Sequence, residues 1–113
     1  MTDQKPKRAN VVLQMRPSTL RDLVRRLSQD TGNIAWGKHA LERMAERDIR
    51  DYVVVDVLRE GEISGSFEPG SNPGEWKAKF VKEVRGRRQA GVVVIVIRNA
   101  KLFVKTVEWE DAR

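Results

Sequence analysis

Apolar residues recur at helical spacing in the first half of the chain and alternate with polar residues in the second half. The helical spacing predicts three helices between residues 17 and 60. The first helix opens at Pro17, takes Ser18 or Thr19 as its N-terminal cap and is closed by Gly32. The residues predicted to be buried in it are Leu20, Leu23, Val24 and Leu27.

The second helix is predicted over about 38–47 and the third over about 51–60, where Gly61 stops it. Residues 53–55 are three valines with strand propensity, but the charged residues around them fit the helical period better. The residues predicted to be buried are Ala40, Leu41, Met44 and Ala45 in the second helix, and Val54, Val57 and Leu58 in the third.

After Gly61 the alternating pattern predicts strands over about 62–67, 75–84, 92–97 and 102–109. The segment 92–97 is apolar on both faces, so we predict that it is the central strand. Residues 98–101 are predicted to form a tight hairpin. In the strand 75–84 the alternation places Trp76, Ala78 and Phe80 on one face and Lys77, Lys79 and Val81 on the other. In the strand 102–109 it places Leu102 and Val104 on one face and Phe103, Val107 and Trp109 on the opposite face.

Helices followed by strands indicate an α+β fold, with N-terminal helices packed on one face of a sheet of three to four antiparallel strands in a meander. The polar and basic residues 1–10 are predicted to form a flexible arm. Residues 11–113 are then a single domain, with helices in about 17–60 and the sheet in about 62–109.

The 113 residues include 22 Lys and Arg against 16 Asp and Glu, a formal net charge of +6, and no cysteine. The lack of cysteine excludes disulfide scaffolds, iron–sulfur clusters and cysteine-ligated zinc sites. His39 is the only histidine, and the sequence contains no His-Glu-x-x-His motif and no glycine-rich phosphate loop, so no metal and no cofactor are predicted. No apolar run reaches the roughly 18 residues of a membrane span, and no signal-peptide core is evident, so we predict a cytoplasmic protein without membrane contact.

The positive charge is concentrated between Trp76 and Lys105, where nine basic residues accompany one acid, Glu83. Such a field attracts polyanions, which favours RNA or an acidic protein as a partner. The alternative is that the lysines line solvated strand edges, where charge prevents aggregation. Under the first interpretation the predicted RNA-binding residues are Arg85, Arg87, Arg88, Arg98 and Lys101.

Cleavage of RNA by its own 2′-hydroxyl requires a group that transfers protons and fixed cations beside the phosphate, but no metal. His39 is a group of the first kind, and Arg43 lies one helical turn away on the same surface. Lys77 and Lys79 point to one side of a predicted strand, and Lys105 joins them if that face is exposed. The alternatives are a histidine that caps or packs, an Arg43 that pairs with Glu42 or Glu46, and lysines that merely face solvent.

The stretch 38–49, Lys-His-Ala-Leu-Glu-Arg-Met-Ala-Glu-Arg-Asp-Ile, precedes a helix that starts with an acid, then a glycine and a meander that ends in Val-Lys-Thr-Val at 104–107. Together these features resemble a bacterial family of unknown function whose members carry a Lys-His-Ala-x-x-Arg-Met helix, and which is grouped with RelE-like and BrnT-like toxins. The resemblance covers residues 34–109.

This resemblance implies a small antiparallel sheet with helices against one face, as in barnase-like and colicin-like ribonucleases. It also implies a type II toxin that cleaves RNA without a metal, often messenger RNA at the ribosome, and that is neutralised by a cognate antitoxin protein. The family's histidine and arginine fall on His39 and Arg43. Lys77, Lys79 and Lys105 match the basic sheet residues of RelE-like toxins by analogy only.

The leading hypothesis is therefore a toxin-like, metal-independent endoribonuclease that acts through attack by the 2′-hydroxyl. Its general base is not assigned, because some relatives use a C-terminal tyrosine and the only tyrosine here, Tyr52, starts the third predicted helix. Two other classes remain open. A non-catalytic basic module would bind nucleic acid or an acidic partner in a salt-sensitive way without forming product, and a structural partner protein would not bind RNA at all.

Overall fold

The computed structural model describes residues 15–84 and 86–111. The predicted arm at 1–10 and the predicted RNA-binding residue Arg85 lie outside these residues. The described part is an α+β fold, as predicted. Its helices are α1 (Pro17–Ser28), α2 (Lys38–Arg47) and α3 (Asp51–Glu60), and its strands are β1 (Ile34–Trp36), β2 (Glu62–Ile63), β3 (Glu68–Pro69), β4 (Glu75–Glu83), β5 (Gln89–Ile97) and β6 (Lys101–Trp109).

The sheet is larger than predicted and is mixed rather than purely antiparallel. The strand order is β1-β6-β5-β4-β2. β3 lies outside this order and pairs with a different part of β4 from β2. β1 runs parallel to β6, whereas the other pairs are antiparallel. The prediction of three to four antiparallel strands was wrong because β1, β2 and β3 have only two or three residues each, too few for an alternating pattern to show. The strand predicted over 62–67 consists only of Glu62–Ile63 in the structure.

The first helix buries its predicted stripe of Leu20, Leu23, Val24 and Leu27, but its ends differ from the prediction. The N-cap position is Arg16, not Ser18 or Thr19, and it makes no side-chain cap hydrogen bond. Pro17 occupies the first helical position, where its missing N–H group costs nothing. The helix ends at Ser28. Gly32 belongs instead to a short 3₁₀ helix, Thr31–Asn33, in which its N–H donates to Asp30 Oδ1 at 2.9 Å.

The other two helices have the predicted bounds, but α2 buries a narrower stripe. Ala40 and Met44 are buried, while Leu41 is 50% exposed and Ala45 is also exposed, so the prediction for these last two residues was wrong. The strand that α2 mainly packs against is β6, which covers only one side of the helix. Helix α3 buries the predicted Val54, Val57 and Leu58 together with Val53.

The core lies between the helices and one side of the sheet. Val92, Val94 and Val96 of β5 are fully buried there, and β5 is central as predicted. On its other face Val93 and Ile95 remain partly exposed. We call the side of the sheet that carries Lys77, Lys79, Val93, Ile95 and Phe103 the open face, because no helix of the described residues covers it.

A β-bulge in β6 reverses its alternation. Val93 pairs with Thr106 and Val94 pairs with Val104, so Lys105 is the extra residue. Leu102 and Val104 before the bulge and Val107 and Trp109 after it therefore all lie buried on the helix side. The predicted separation of these two pairs was wrong for this reason. The 98–101 hairpin is confirmed, with positive φ at Arg98 (52°) and Asn99 (59°), the type I′ pattern.

Candidate nucleic-acid interface

The three candidate lysines of the sheet lie around two adjacent hollows on the open face. Lys77 and Lys105 line one hollow of about 250 Å³ together with Ile95 and the segment 68–71. Lys77 and Lys79 line the next, of about 260 Å³, with Val93 at its floor. The alternation of β4 brings the first two to one side, and the bulge adds Lys105. The structure thus gathers all three residues on one surface.

Two of these lysines are already paired with carboxylates. The Lys77 ammonium lies 3.2 Å from Glu68 Oε2. The Lys79 ammonium lies 2.8 Å from Glu108 Oε2 and 2.7 Å from Glu110 Oε2. Lys105 is exposed, and no carboxylate among the described residues comes within 4.0 Å of its ammonium group. The positive field of the open face is therefore weaker than the sequence predicts, because the three acids lie outside the 76–105 window.

The ion pairs of Lys79 shift the pKa values of both partners. Burial lowers the pKa of Lys79, but the hydrogen bonds to Glu108 and Glu110 outweigh it and raise that pKa. The same hydrogen bond from Lys79 lowers the pKa of Glu108. Both groups are thus held in their charged forms at neutral pH. The arrangement favours a fixed structural ion pair over a group that exchanges protons near pH 7.

Gly91 makes room for this ion cluster. A Cβ on Gly91 would collide with the Glu110 carboxylate and would lie 2.8 Å from Lys79 Cε. A glycine inside a strand often marks a close approach of other groups. It is the one signal in the sequence that could have indicated Glu108 and Glu110, which the sequence reasoning missed.

The helix that carries His39 and Arg43 starts directly beside the bulge. The Gly37 N–H donates to Val104 O at 3.0 Å. A Cβ on Gly37 would lie 2.7 Å from the Phe103 ring and 2.9 Å from Val104 O, so only glycine fits this approach. The positive end of the α2 dipole therefore lies next to the segment that carries Lys105.

His39 and Arg43 themselves are on the helix side of the sheet, away from Lys77 and Lys79. The His39 side chain is 59% exposed, with Nδ1 3.8 Å from Glu42 Oε1. Arg43 donates to Glu46 Oε1 at 2.7 Å, so its guanidinium forms the pair that the alternative interpretation expected. The structure brings the start of α2 to Lys105 but does not bring all five candidate catalytic residues together.

The predicted RNA-binding residues fall into two groups at opposite ends of β5. Arg87 and Arg88 lie in the β4–β5 connection, and Arg98 and Lys101 lie in or next to the β5–β6 hairpin. The nine residues of β5 separate the two ends by about 30 Å. Arg88 stacks on the Trp109 ring at 4.0 Å from its centroid and pairs with Asp111 at 3.3 Å. These residues do not form one continuous patch.

The described ranges 15–84 and 86–111 hold no group of three or more His, Cys, Asp or Glu side chains arranged to bind a metal ion. In the same ranges no helix combines the length and apolar character needed to span a bilayer.

Comparison with known protein families gives a match. A family model described as "Domain of unknown function (DUF4258)" covers residues 36–109. The matched range includes α2, α3 and strands β2 to β6, and it leaves α1 outside. No curated protein and no solved structure matches the chain.

Proposed function

This chain belongs to the DUF4258 family, whose domains have no known function, and we propose that it is a toxin-like endoribonuclease that works without a metal. The observation that carries the proposal is the hydrogen bond from Gly37 to Val104 beside the bulge in β6. This contact joins the segment that carries His39 to the segment that carries Lys105. A proton-transferring group and a cation then border one edge of the sheet.

In the proposed reaction the 2′-oxygen of RNA attacks the adjacent phosphorus and the bond to the 5′-oxygen breaks. One proton leaves the 2′-hydroxyl and one proton is delivered to the 5′-oxygen, so the products are a 2′,3′-cyclic phosphate and a 5′-hydroxyl. His39 transfers a proton. The Lys105 ammonium group and the N-terminal end of α2 stabilise the charge that develops on the phosphoryl oxygens, and Lys77 contacts the neighbouring phosphate on the open face.

The remaining candidate residues hold the rest of the RNA strand in this proposal. Arg43 exchanges its partner Glu46 for a neighbouring phosphate, since the exposed ion pair that it leaves is worth less than about 1 kcal/mol. Lys79 keeps its ion pairs with Glu108 and Glu110 and contributes only to the electrostatic potential around the RNA. The arginines of the two turns contact phosphates that lie farther along the strand.

A kinship with RelE-like and BrnT-like toxins is part of the proposal, and the α2 motif supports it. Under this kinship the substrate is RNA, including messenger RNA at the ribosome, and the protein partner is a cognate antitoxin. The open face supports a protein partner as well, because Val93, Ile95 and Phe103 are partly exposed there between the lysines. A protein seated on these side chains would exclude RNA from Lys77 and Lys105.

A second candidate function is an RNA-binding module without catalysis. It is favoured by a separate observation: Lys77, Lys79 and Arg43 are all paired with carboxylates, and His39 projects from the helix side. Such a surface would hold phosphates through Lys105 and the two basic turns while presenting no assembled set of proton-transferring groups to the 2′-hydroxyl.

Incubation with a fluorescently labelled single-stranded RNA in the presence of EDTA separates the two candidates. Cleavage is followed by gel, and binding is followed separately by fluorescence anisotropy. The variants are His39→Ala, Arg43→Ala and Lys105→Gln. The matched control is Arg26→Gln, which removes one positive charge from the exposed surface of α1. Growth arrest after induction in a bacterial host tests the toxin assignment.

The nuclease proposal expects cleavage by the wild type and a loss of about 100-fold or more in His39→Ala, with RNA binding changed less than about threefold. Lys105→Gln should lower both cleavage and affinity, while Arg26→Gln should resemble the wild type. Equal cleavage by wild type and His39→Ala would overturn the site assignment. Salt-sensitive binding without product would favour the second candidate.

A further inference from the structure

A hollow of the described structure lies away from the open face, along the outer side of α3. Its volume is about 690 Å³, within the usual range of roughly 300–1,000 Å³ for ligand sites. We call it the α3 groove. The residues of α3 that line it include Asp51, Tyr52, Val55, Asp56 and Glu60, and Trp36 at the end of β1 forms part of the opposite wall.

The α3 groove exposes apolar and aromatic surface that no other described element covers. Tyr52 is 66% exposed, more than Leu41 at 50%, and these two are the exposed large hydrophobic residues of the described chain. Trp36 and Val55 are half-buried beside it. Exposed aromatic side chains in a concave site are the residues on which protein partners most often anchor.

The lining of the α3 groove is acidic, although the whole chain has a net charge of +6. It contains three carboxylates, Asp51, Asp56 and Glu60, and one guanidinium, Arg59. Arg59 donates to the backbone oxygens of residues 28 and 29 at 3.0 and 3.3 Å, which fixes it at the rim.

The three carboxylates differ in how far they are already neutralised. Asp56 accepts from the Lys82 ammonium at 2.8 Å, and this hydrogen bond raises the pKa of Lys82. Glu60 lies 3.7 Å from the same ammonium and is 67% exposed. Asp51 has no ion-pair partner within 4.0 Å among the described residues. Asp51 and Glu60, at opposite ends of α3, therefore keep most of their charge for a ligand.

We propose that the α3 groove binds a cationic segment of a partner protein that carries two basic side chains. One lies against Trp36 and Tyr52 with its charge facing Asp51, and the other faces Glu60, about 13 Å farther along the helix. A guanidinium suits the site best, because it stacks on aromatic rings and pairs with carboxylates at the same time. RNA is disfavoured, since its phosphates would meet three carboxylates. The site is independent of the proposed nuclease activity.

Titration of ¹⁵N-labelled protein with the peptide acetyl-Gly-Arg-Leu-Arg-Gly-amide tests the proposal. The matched probe is the same peptide with glutamate in place of arginine. We expect shifts at the Trp36 indole and at the amides of α3, weakened by salt, and none from the glutamate peptide. The double variant Asp51→Asn with Glu60→Gln should lower the affinity about tenfold. The control double variant, Asp22→Asn with Glu83→Gln, removes two exposed carboxylates elsewhere and should bind as the wild type.

Dispersed amide spectra of each variant verify that it is folded before its affinity is compared. The proposal is overturned if no shift occurs at about 1 mM arginine peptide, if both peptides bind alike, or if the shifts lie outside α3 and Trp36. Concentration-dependent shifts of the same residues without peptide would assign the groove to a second copy of this chain and would likewise overturn it.

Discussion

Replacement of Gly37 by alanine perturbs the contact on which the candidate nuclease site depends. The backbone of Gly37 has φ −71° and ψ 150°, which alanine adopts without strain, so the effect comes from the added methyl group alone. That methyl group would lie 2.7 Å from Phe103 Cζ and 2.9 Å from Val104 O. The ring can rotate, but the carbonyl belongs to the sheet, so the start of α2 must move away from β6.

The cost of Gly37→Ala is the sum of three contributions. Overpacking of this kind costs about 1–3 kcal/mol. Weakening of the hydrogen bond from Gly37 to Val104 adds about 1 kcal/mol. The reduced entropy of the unfolded chain offsets about 0.4–1 kcal/mol. The net loss of unfolding free energy is about 2 kcal/mol, which corresponds to a fall in Tm of about 10 °C for a domain of this size.

Calorimetry and RNA cleavage on the same preparation check this prediction. Cleavage by Gly37→Ala at a temperature where it is fully folded should fall about 100-fold, because a shift of about 1 Å misplaces His39 relative to Lys105. The matched control is Gly32→Ala, where the added methyl group would meet only the exposed Asp30 side chain, at 3.1 Å, and no backbone, and its Tm should change by less than about 4 °C. A Tm of Gly37→Ala equal to that of the wild type would refute the reasoning.

Two further predictions concern the sheet. In Glu108→Gln the ion pair with Lys79 is lost. Because the pKa of Glu108 is lowered in the folded protein, this ion pair stabilises the fold at every pH above the ordinary pKa of 4.5. The stabilisation disappears as the pH falls through the lowered pKa of Glu108. Urea titrations should therefore show a stability deficit at about pH 7 that shrinks toward about pH 3, and a constant deficit would contradict the ion pair. In Trp109→Phe the indole N–H that donates to Arg47 O at 2.9 Å is removed, and the free energy of unfolding should fall by about 1–3 kcal/mol. Trp76→Phe, at a half-buried edge-to-face contact with Phe67, should lose less than about 1.5 kcal/mol and serves as the comparison.

The distribution of charge illustrates where the sequence was informative and where it misled. The excess of basic residues between 76 and 105 is real, but Lys77, Lys79 and Lys82 each face a carboxylate that lies outside that window. Lys79 and Glu108 are 29 positions apart and meet only because β4, β5 and β6 lie side by side. A count of basic residues along the chain therefore overestimates the positive electrostatic field at the protein surface.

The candidate site was predicted in its residue types better than in its geometry. The start of α2 and the shared side of Lys77 and Lys79 follow from spacing. The position of Lys105 depends on the bulge in β6. The only sign of this bulge in the sequence is that the apolar residues Val104 and Val107 are three positions apart, a spacing that a regular strand would place on opposite faces. The α3 groove has no sequence signal, because Trp36 and Tyr52 belong to different elements.

The sequence by itself determined the helical period of α1 to α3, the alternation of β4 and β5, the 98–101 hairpin and the lack of cysteine chemistry. These are properties of neighbouring residues, and local sterics and side-chain period decide them. Only the tertiary structure decided which sheet face stays uncovered, which lysines are paired, and that α2 begins beside Lys105. Each of these depends on contacts between residues far apart in the chain, where packing and charge pairing, rather than local preference, set the lowest free energy.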